Sequence, residues 1–243
     1  MRSVRVNMNS ILIITTFVFG LHAICVHAQN VCQRNVAFDY IELAIQWAPG
    51  VCHANQKCRP YSEKWTIHGI WPTNNNGSFP EHCCYRRFFN ISQLAPILSD
   101  MKTHWTSLTL NDTIFWKHEW QKHGTCAHIS RSLEGQRNYF QKTLQLFKAL
   151  KLNEWLRNAS ILAKPLNSNS EYKLENIRKA ISLKTGKRPR FECRIIRKRS
   201  QLFTLLSGIY FCYERSALKL VDCSRNDDTD CGTNNVHFIN NTT

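Results

Sequence analysis

The sequence predicts an α+β fold: an antiparallel sheet with helices packed on one side, in a single disulfide-stapled domain. Three observations lead there. Strand-like segments lie towards both ends of the chain and a block at helical spacing lies between them, so the regular alternation of a doubly wound parallel sheet is missing. Cysteines are abundant, 11 in 243 residues. No repeat, low-complexity linker or Pro/Gly-rich joint divides the chain.

The elements follow in order. Residues 1–28 are expected to be a secretory signal peptide and residues 29–243 the folded domain. Arg2 and Arg5 give a basic start, Ile11 to Phe19 is apolar apart from Thr15 and Thr16, and Val26-His27-Ala28 offers a cleavage site. That run is too short to span a bilayer and no later one approaches the length, so stable membrane insertion is not expected. Phe38 to Trp47 is rich in aromatic and branched residues and predicts a core strand; "KWTIHGIWP" predicts a second, ending in a turn over Pro72 to Gly77. Leu94, Ile97, Leu98, Met101 and Trp105 then follow helical spacing, with Ser92 as the expected N-cap. A helix from about Thr113 to His123 is expected to be capped by Asp112 and stopped by Gly124. Tyr139, Phe140, Leu144 and Phe147 mark a third helix, and Leu174, Ile177 and Ile181, ending before Gly186, a fourth. Strands return in "RFECRII", "LSGIYFCYE" and "KLVDC" and should share a sheet with the N-terminal strand.

Charge and cysteines bound the function. Loss of Arg2 and Arg5 with the leader takes the net charge from +15 to +13. A secreted protein this basic favours polyanions, whether nucleic acid, acidic cell-wall polymer or anionic membrane surface. Cys25 leaves with the leader, and the remaining ten cysteines, an even number without paired CxxC elements, argue for disulfides and against structural zinc. Sequons beginning at Asn76, Asn90, Asn111, Asn158, Asn240 and Asn241 agree with a glycosylated extracellular product.

The chemistry concentrates in "KHEWQKHGTC", residues 117–126. It differs from the zincin HExxH pattern because His118 and His123 are five apart, which does not let two histidines grip one metal from adjacent turns. At about 100° per residue, His118, Lys122, Glu119 and His123 instead spread across an arc of roughly 140°, with Trp116 and Trp120 on its flank as core anchors. A permanent cation, a carboxylate and two groups titrating near neutrality suit phosphoryl chemistry. Cleaving RNA by internal attack needs a base for the 2′-OH proton, an acid for the departing 5′ oxygen, and positive charge for the phosphorane. A second histidine segment is then required, and "TIHGIWP" offers His68 beside Gly69 and the aromatic Trp71.

"WTIHGIWP" and "FWKHEWQKHGTC" resemble the two active-site segments of the ribonuclease T2 family, and "FDYIELAIQWAPGVC" resembles its first strand. That resemblance implies a secreted endoribonuclease acting on single-stranded RNA through a 2′,3′-cyclic phosphate, with no cofactor and no metal. It implies His68 and His123 as the acid–base pair, with His123 the expected base. Glu119 and Lys122 would stabilise the phosphorane and His118 would hold the phosphate. Trp71 would stack on the base 5′ to the cut, with Gln46 as a further substrate contact. DNA, lacking the 2′-OH, would be spared. Thr73 departs from those members that carry an acid just after Trp-Pro, which implies weak base preference. The family pattern also implies Cys52–Cys58, Cys83–Cys126, Cys193–Cys231, Cys212–Cys223 and Cys32–Cys84, although neighbours Cys83 and Cys84 are interchangeable on spacing.

Basicity and sequons resemble, within that family, the style-secreted self-incompatibility ribonucleases of plants. Those act on pollen-tube RNA and are recognised by pollen F-box proteins of a ubiquitin ligase, and residues 74–105 would then match the allele-discriminating segment. A general extracellular, vacuolar or defence ribonuclease is the alternative, and a catalytically silent polyanion-binding glycoprotein is a third reading that the intact histidines oppose. A monomer is expected. The run from Lys184 to Arg199, with eight basic residues and one acid, is either a solvated surface or a phosphate-tracking or docking patch.

Overall fold

The computed structural model describes residues 32–33, 36–54, 57–198, 200–224, 231–232 and 235–241, so the expected signal peptide lies outside the described residues. β1 (Tyr40–Trp47) is followed directly by the short helix α1 (Ala48–His53) and then by β2 (Trp65–Thr73). A 3₁₀ segment (Ile91–Ile97) leads into α2 (Leu98–His104), and α3 (Asp112–Lys122) into a second 3₁₀ segment (Gly124–Ile129). After α4 (Gln136–Ala149) and α5 (Leu152–Asn158) come β3 (Glu171–Lys173), α6 (Leu174–Thr185), β4 (Arg190–Lys198), β5 (Gln201–Glu214), β6 (Leu220–Val221) and β7 (Asn235–His237).

Among the described residues these strands form one seven-stranded sheet along the path β2-β1-β5-β7-β3, with β4 and β6 also on β5. The N-terminal and late strands do share it. It is antiparallel except where β7 meets β5 in parallel at Leu205 and His237. Alternation gives β1 two different faces. Ile41, Leu43 and Ile45 join Trp105, Trp116, Trp120, Tyr139 and Phe140 of the helical layer in one large core cluster, as the expected one-sided packing requires. Glu42 points to the other face, towards Trp71 and Arg190. Short α1, with Cys58, Tyr61 and Leu108, makes a separate apolar cluster. No described helix is long and apolar enough to cross a membrane.

Three helix ends differ from expectation, each for a local reason. Asn90, not Ser92, caps the segment before α2, its side chain accepting from the Ser92 N–H. Pro96 has no N–H to donate, and the first turns are 3₁₀ up to Ile97. Asn111, not Asp112, caps α3, while Asp112 opens the helix and accepts from Ser107. Gly124 does not stop α3 with a left-handed turn: His123 is the C-cap and Gly124 begins a 3₁₀ continuation. A side chain at Gly124 would instead collide with the Trp120 ring. Gly186 does end α6 in the left-handed conformation at φ 67°.

Two features bring the histidine segments together. Cys83–Cys126 ties the loop after β2 to the turn after α3, and the His82 N–H donates to the Lys122 carbonyl at 2.9 Å. Cys32–Cys84, Cys52–Cys58, Cys193–Cys231 and Cys212–Cys223 are also paired, the full set that the resemblance implies. The second feature is a β-bulge. β1 and β2 lose register between Ala44 and Ile45, whose partners are Gly69 and Ile67, so His68 is the extra residue. Its carbonyl accepts from the buried Trp105 indole at 3.0 Å. Trp105→Phe should therefore lower stability by about 1–3 kcal/mol in urea unfolding and reduce turnover through misplacement of His68; unchanged stability and activity would show that the indole does not hold the bulge.

Candidate active site

The cleft on the second face of the sheet, about 250 Å³, is lined by Glu42, His68, Trp71, Thr73, Gly77, Phe79, His118, Glu119, Lys122, His123 and Arg190. All five proposed catalytic positions and Trp71 meet here. Gln46 does not line the cleft; it lies farther along β1, opposite Thr66 and Gly208. Larger concavities exist elsewhere among the described residues, but these are lined by none of His68, His118 and His123.

Trp71 is the hub. Its ring centroid lies 5.0 Å from His68, nearly edge-on, and 5.2 Å from His123. Its indole donates to Glu119 Oε2 at 2.9 Å, and the other carboxyl oxygen lies 3.9 Å from His68 Nε2. Gly69 makes this possible, because a Cβ there would occupy the space of the Glu119 carboxyl and the Trp71 indole nitrogen. α3 presents Glu119 reliably because Trp116 and Trp120 anchor it from the core side. Their indoles donate to the Trp105 and Arg87 carbonyls at 2.8 and 2.7 Å.

Burial sets the proton affinities. Glu119 is 1 % exposed, and desolvation pushes its pKa up to about 8 against the opposing pull of the Trp71 hydrogen bond and the Lys122 charge. Desolvation also leads in lowering His123 to about 3, with Lys122, His118, His68 and His82 adding to it. His68 falls to about 4, through desolvation first and then the charges of His118, Arg194 and Lys122. His68 nevertheless keeps 32 % of its side chain open to solvent. His118 is lowered as well, by desolvation and then by Lys122 and His82. At pH 5–6 the cleft thus holds His68 and His123 as neutral imidazoles and Glu119 as a protonated carboxyl. Lys122 itself lies 3.6 Å from Glu81 and 5.4 Å above the Phe79 ring.

Three lining groups escaped the sequence analysis. Glu42 sat within an otherwise apolar strand and Arg190 within a long basic run; in the fold they meet, Arg190 Nε and Nη2 donating to one Glu42 oxygen at 3.0 and 2.8 Å. Phe79, in a loop without periodicity, carries no local signal; it reaches to 5.8 Å from His123. His82 likewise had no motif, yet its charge acts on both His118 and His123. Among the described residues no three of His, Cys, Asp or Glu are placed to hold a metal.

Comparison with known proteins agrees with this geometry. The family model described as "Ribonuclease T2 family" matches residues 38–223. Extracellular ribonuclease LE of Solanum lycopersicum is 32% identical over 206 residues, covering 81% of this chain and 85% of its own. Ribonuclease T2 of Sus scrofa is 36% identical over 184 residues, 73% of this chain and 84% of its own. Among solved structures, RNase NT in complex with 5′-AMP superposes with TM-score 0.67 at 32% identity, over 78% of this chain and 92% of that one. A Nicotiana alata self-incompatibility-associated SF11-RNase shares the fold, with TM-score 0.70 at 24% identity over 84% of this chain and all of that one. With the match extending over most of its length and across the cleft that its two histidine segments build, the chain belongs to the Ribonuclease T2 family.

Proposed function

We propose that this endoribonuclease cleaves single-stranded RNA by 2′-OH attack on the adjacent phosphorus, with His123 as base and His68 as acid. The observation that carries this is the convergence of both imidazoles on one indole, 5.0 and 5.2 Å from Trp71, beside Glu119 and Lys122. In the first step the 2′-oxygen bonds to phosphorus as its proton passes to His123. The P–O5′ bond breaks as His68 protonates the leaving oxygen, which yields a 2′,3′-cyclic phosphate. Water then opens the ring with the proton roles reversed.

Burial favours the neutral form of both imidazoles, and a phosphodiester in the cleft supplies the negative charge that lets one of them hold a proton. Lys122 faces the phosphorane charge, and Glu119, protonated below about 8, donates to a phosphate oxygen. His118 holds the phosphate, Trp71 stacks on the 5′ base, and Gln46 contacts the strand from outside the cleft.

The protein is secreted through its signal peptide as a monomeric glycoprotein and acts as the style-side determinant of gametophytic self-incompatibility, with pollen F-box proteins as partners. A charge of +13 after leader removal and six sequons support this, as does the fold shared with the Nicotiana alata protein. Expression confined to the style and co-segregation with pollen rejection are the expected outcomes; expression throughout the plant points to the general extracellular or vacuolar role instead.

Substituting His68→Ala or His123→Ala should each cut turnover of RNA at least about a hundredfold and abolish the cyclic phosphate seen on product analysis. Full activity in either variant sinks the assignment. The pH dependence follows first from burial, which lowers both imidazoles, and then from nearby charges that include Lys122. Activity needs one imidazole neutral and one protonated, so kcat/KM of the native enzyme should peak on the acid side of pH 6.5, the ordinary histidine value. Lys122→Gln lets both rings keep protons to higher pH. Its profile should move upward as its maximum falls, and a profile that stays or moves down refutes the electrostatic coupling.

A further inference from the structure

β4 continues past the cleft. Its alternation puts Arg190, Glu192 and Arg194 on the cleft side and, by the same period, Ile196 and Lys198 beyond them. Phe191 and Cys193 on the opposite side enter the core. Contacts run without a gap from the cleft along this face. Trp71 lies 6.1 Å from the Tyr210 ring, the Arg190 guanidinium sits 3.8 Å above that ring, and the Tyr210 hydroxyl donates to Glu192 Oε2 at 2.5 Å. Glu192 Oε1 accepts from Arg194 Nη2 at 3.3 Å. Glu42 and Glu192, the carboxylates along this path, are thus each bonded by neighbouring donors, and no acid follows Arg194 on β4.

We propose that the cleft face of β4 beyond Arg190 is a phosphate-tracking extension of the active site, where Arg194 and Lys198 hold the RNA backbone outside the scissile linkage. This rests on the cleft being the catalytic centre. Arg194 suits the role because its strand and the Glu192 contact fix it, while 43 % of its side chain stays exposed. Its charge is felt at His68, and the Lys198 charge at His53 at the end of α1, so the two cations bridge the cleft and that helix. Four residues of strand put Arg194 and Lys198 about 13 Å apart, a span of more than one nucleotide. A competing explanation is that charges on an edge strand merely prevent sheet-to-sheet aggregation.

The test compares a dinucleoside monophosphate, which fills only the cleft, with a 20-nucleotide single-stranded RNA, from low to high salt. For the pair Arg194→Gln and Lys198→Gln, kcat/KM on the long strand should fall about tenfold more than on the dinucleotide. The salt dependence of log KM for the long strand should become shallower by about 1.4, since each single-strand phosphate contact contributes about 0.7. A charge-matched control, Arg131→Gln with Arg137→Gln, should leave that slope unaltered. Equal loss on both substrates, an unchanged slope, or the same change in the control each overturns the proposal. An unchanged slope with aggregation of the variant supports edge protection, and an unchanged slope without it leaves this face of β4 to a protein partner. Failure of the catalytic reading itself is separately visible, because His68→Ala would then cleave both substrates normally.

Discussion

The hydrogen bond from the Trp71 indole to the Glu119 carboxyl is the joint between the sheet and the helical layer at the cleft. It links residues 48 apart in sequence, and it exists only because Gly69 leaves room for both groups. Once made, it orients the indole against which both imidazoles pack, and it leaves the second carboxyl oxygen facing His68. The bulge in β2, the disulfide from Cys83 to Cys126 and the anchored tryptophans of α3 all deliver their residues to this one contact.

Polarity of the sheet explains why a strongly basic protein can keep neutral histidines. One face of β1 is saturated with apolar side chains, so polar groups are driven to the other face, where Glu42, Arg190, Tyr210 and Glu192 satisfy one another. The cleft lies on that second face, partly closed to water. There, desolvation and nearby cations act in the same direction on imidazoles and in opposite directions on the carboxyl. His68 and His123 fall while Glu119 rises, although Lys122 lies beside all three.

Much of the site was legible in the chain itself. The spacing of His118, Glu119, Lys122 and His123 on one helical arc, and a lone histidine between branched residues and a Trp-Pro, state their chemistry locally. So did the main strands and helices, whose side-chain periods are local properties. The short strands at Glu171–Lys173 and Asn235–His237 were missed because three residues carry no period, and the short helices α1 and α5 for a similar reason. Asn90 and Asn111 displaced the expected caps since either neighbour could supply the oxygen and only backbone geometry chooses.

Sequence alone determined the residue types, the cysteine complement and the amphipathic patterns, and through them the fold class and the chemistry at hand. Tertiary structure decided which groups face one another: that Glu42 meets Arg190 across 148 positions, that His68 is the residue left over in a bulge, and that Phe79 and His82 sit beside His123 or act on it. The physical reason is that helix and strand propensities act over a few neighbours, whereas burial and charge coupling depend on distance in space, which no local pattern encodes.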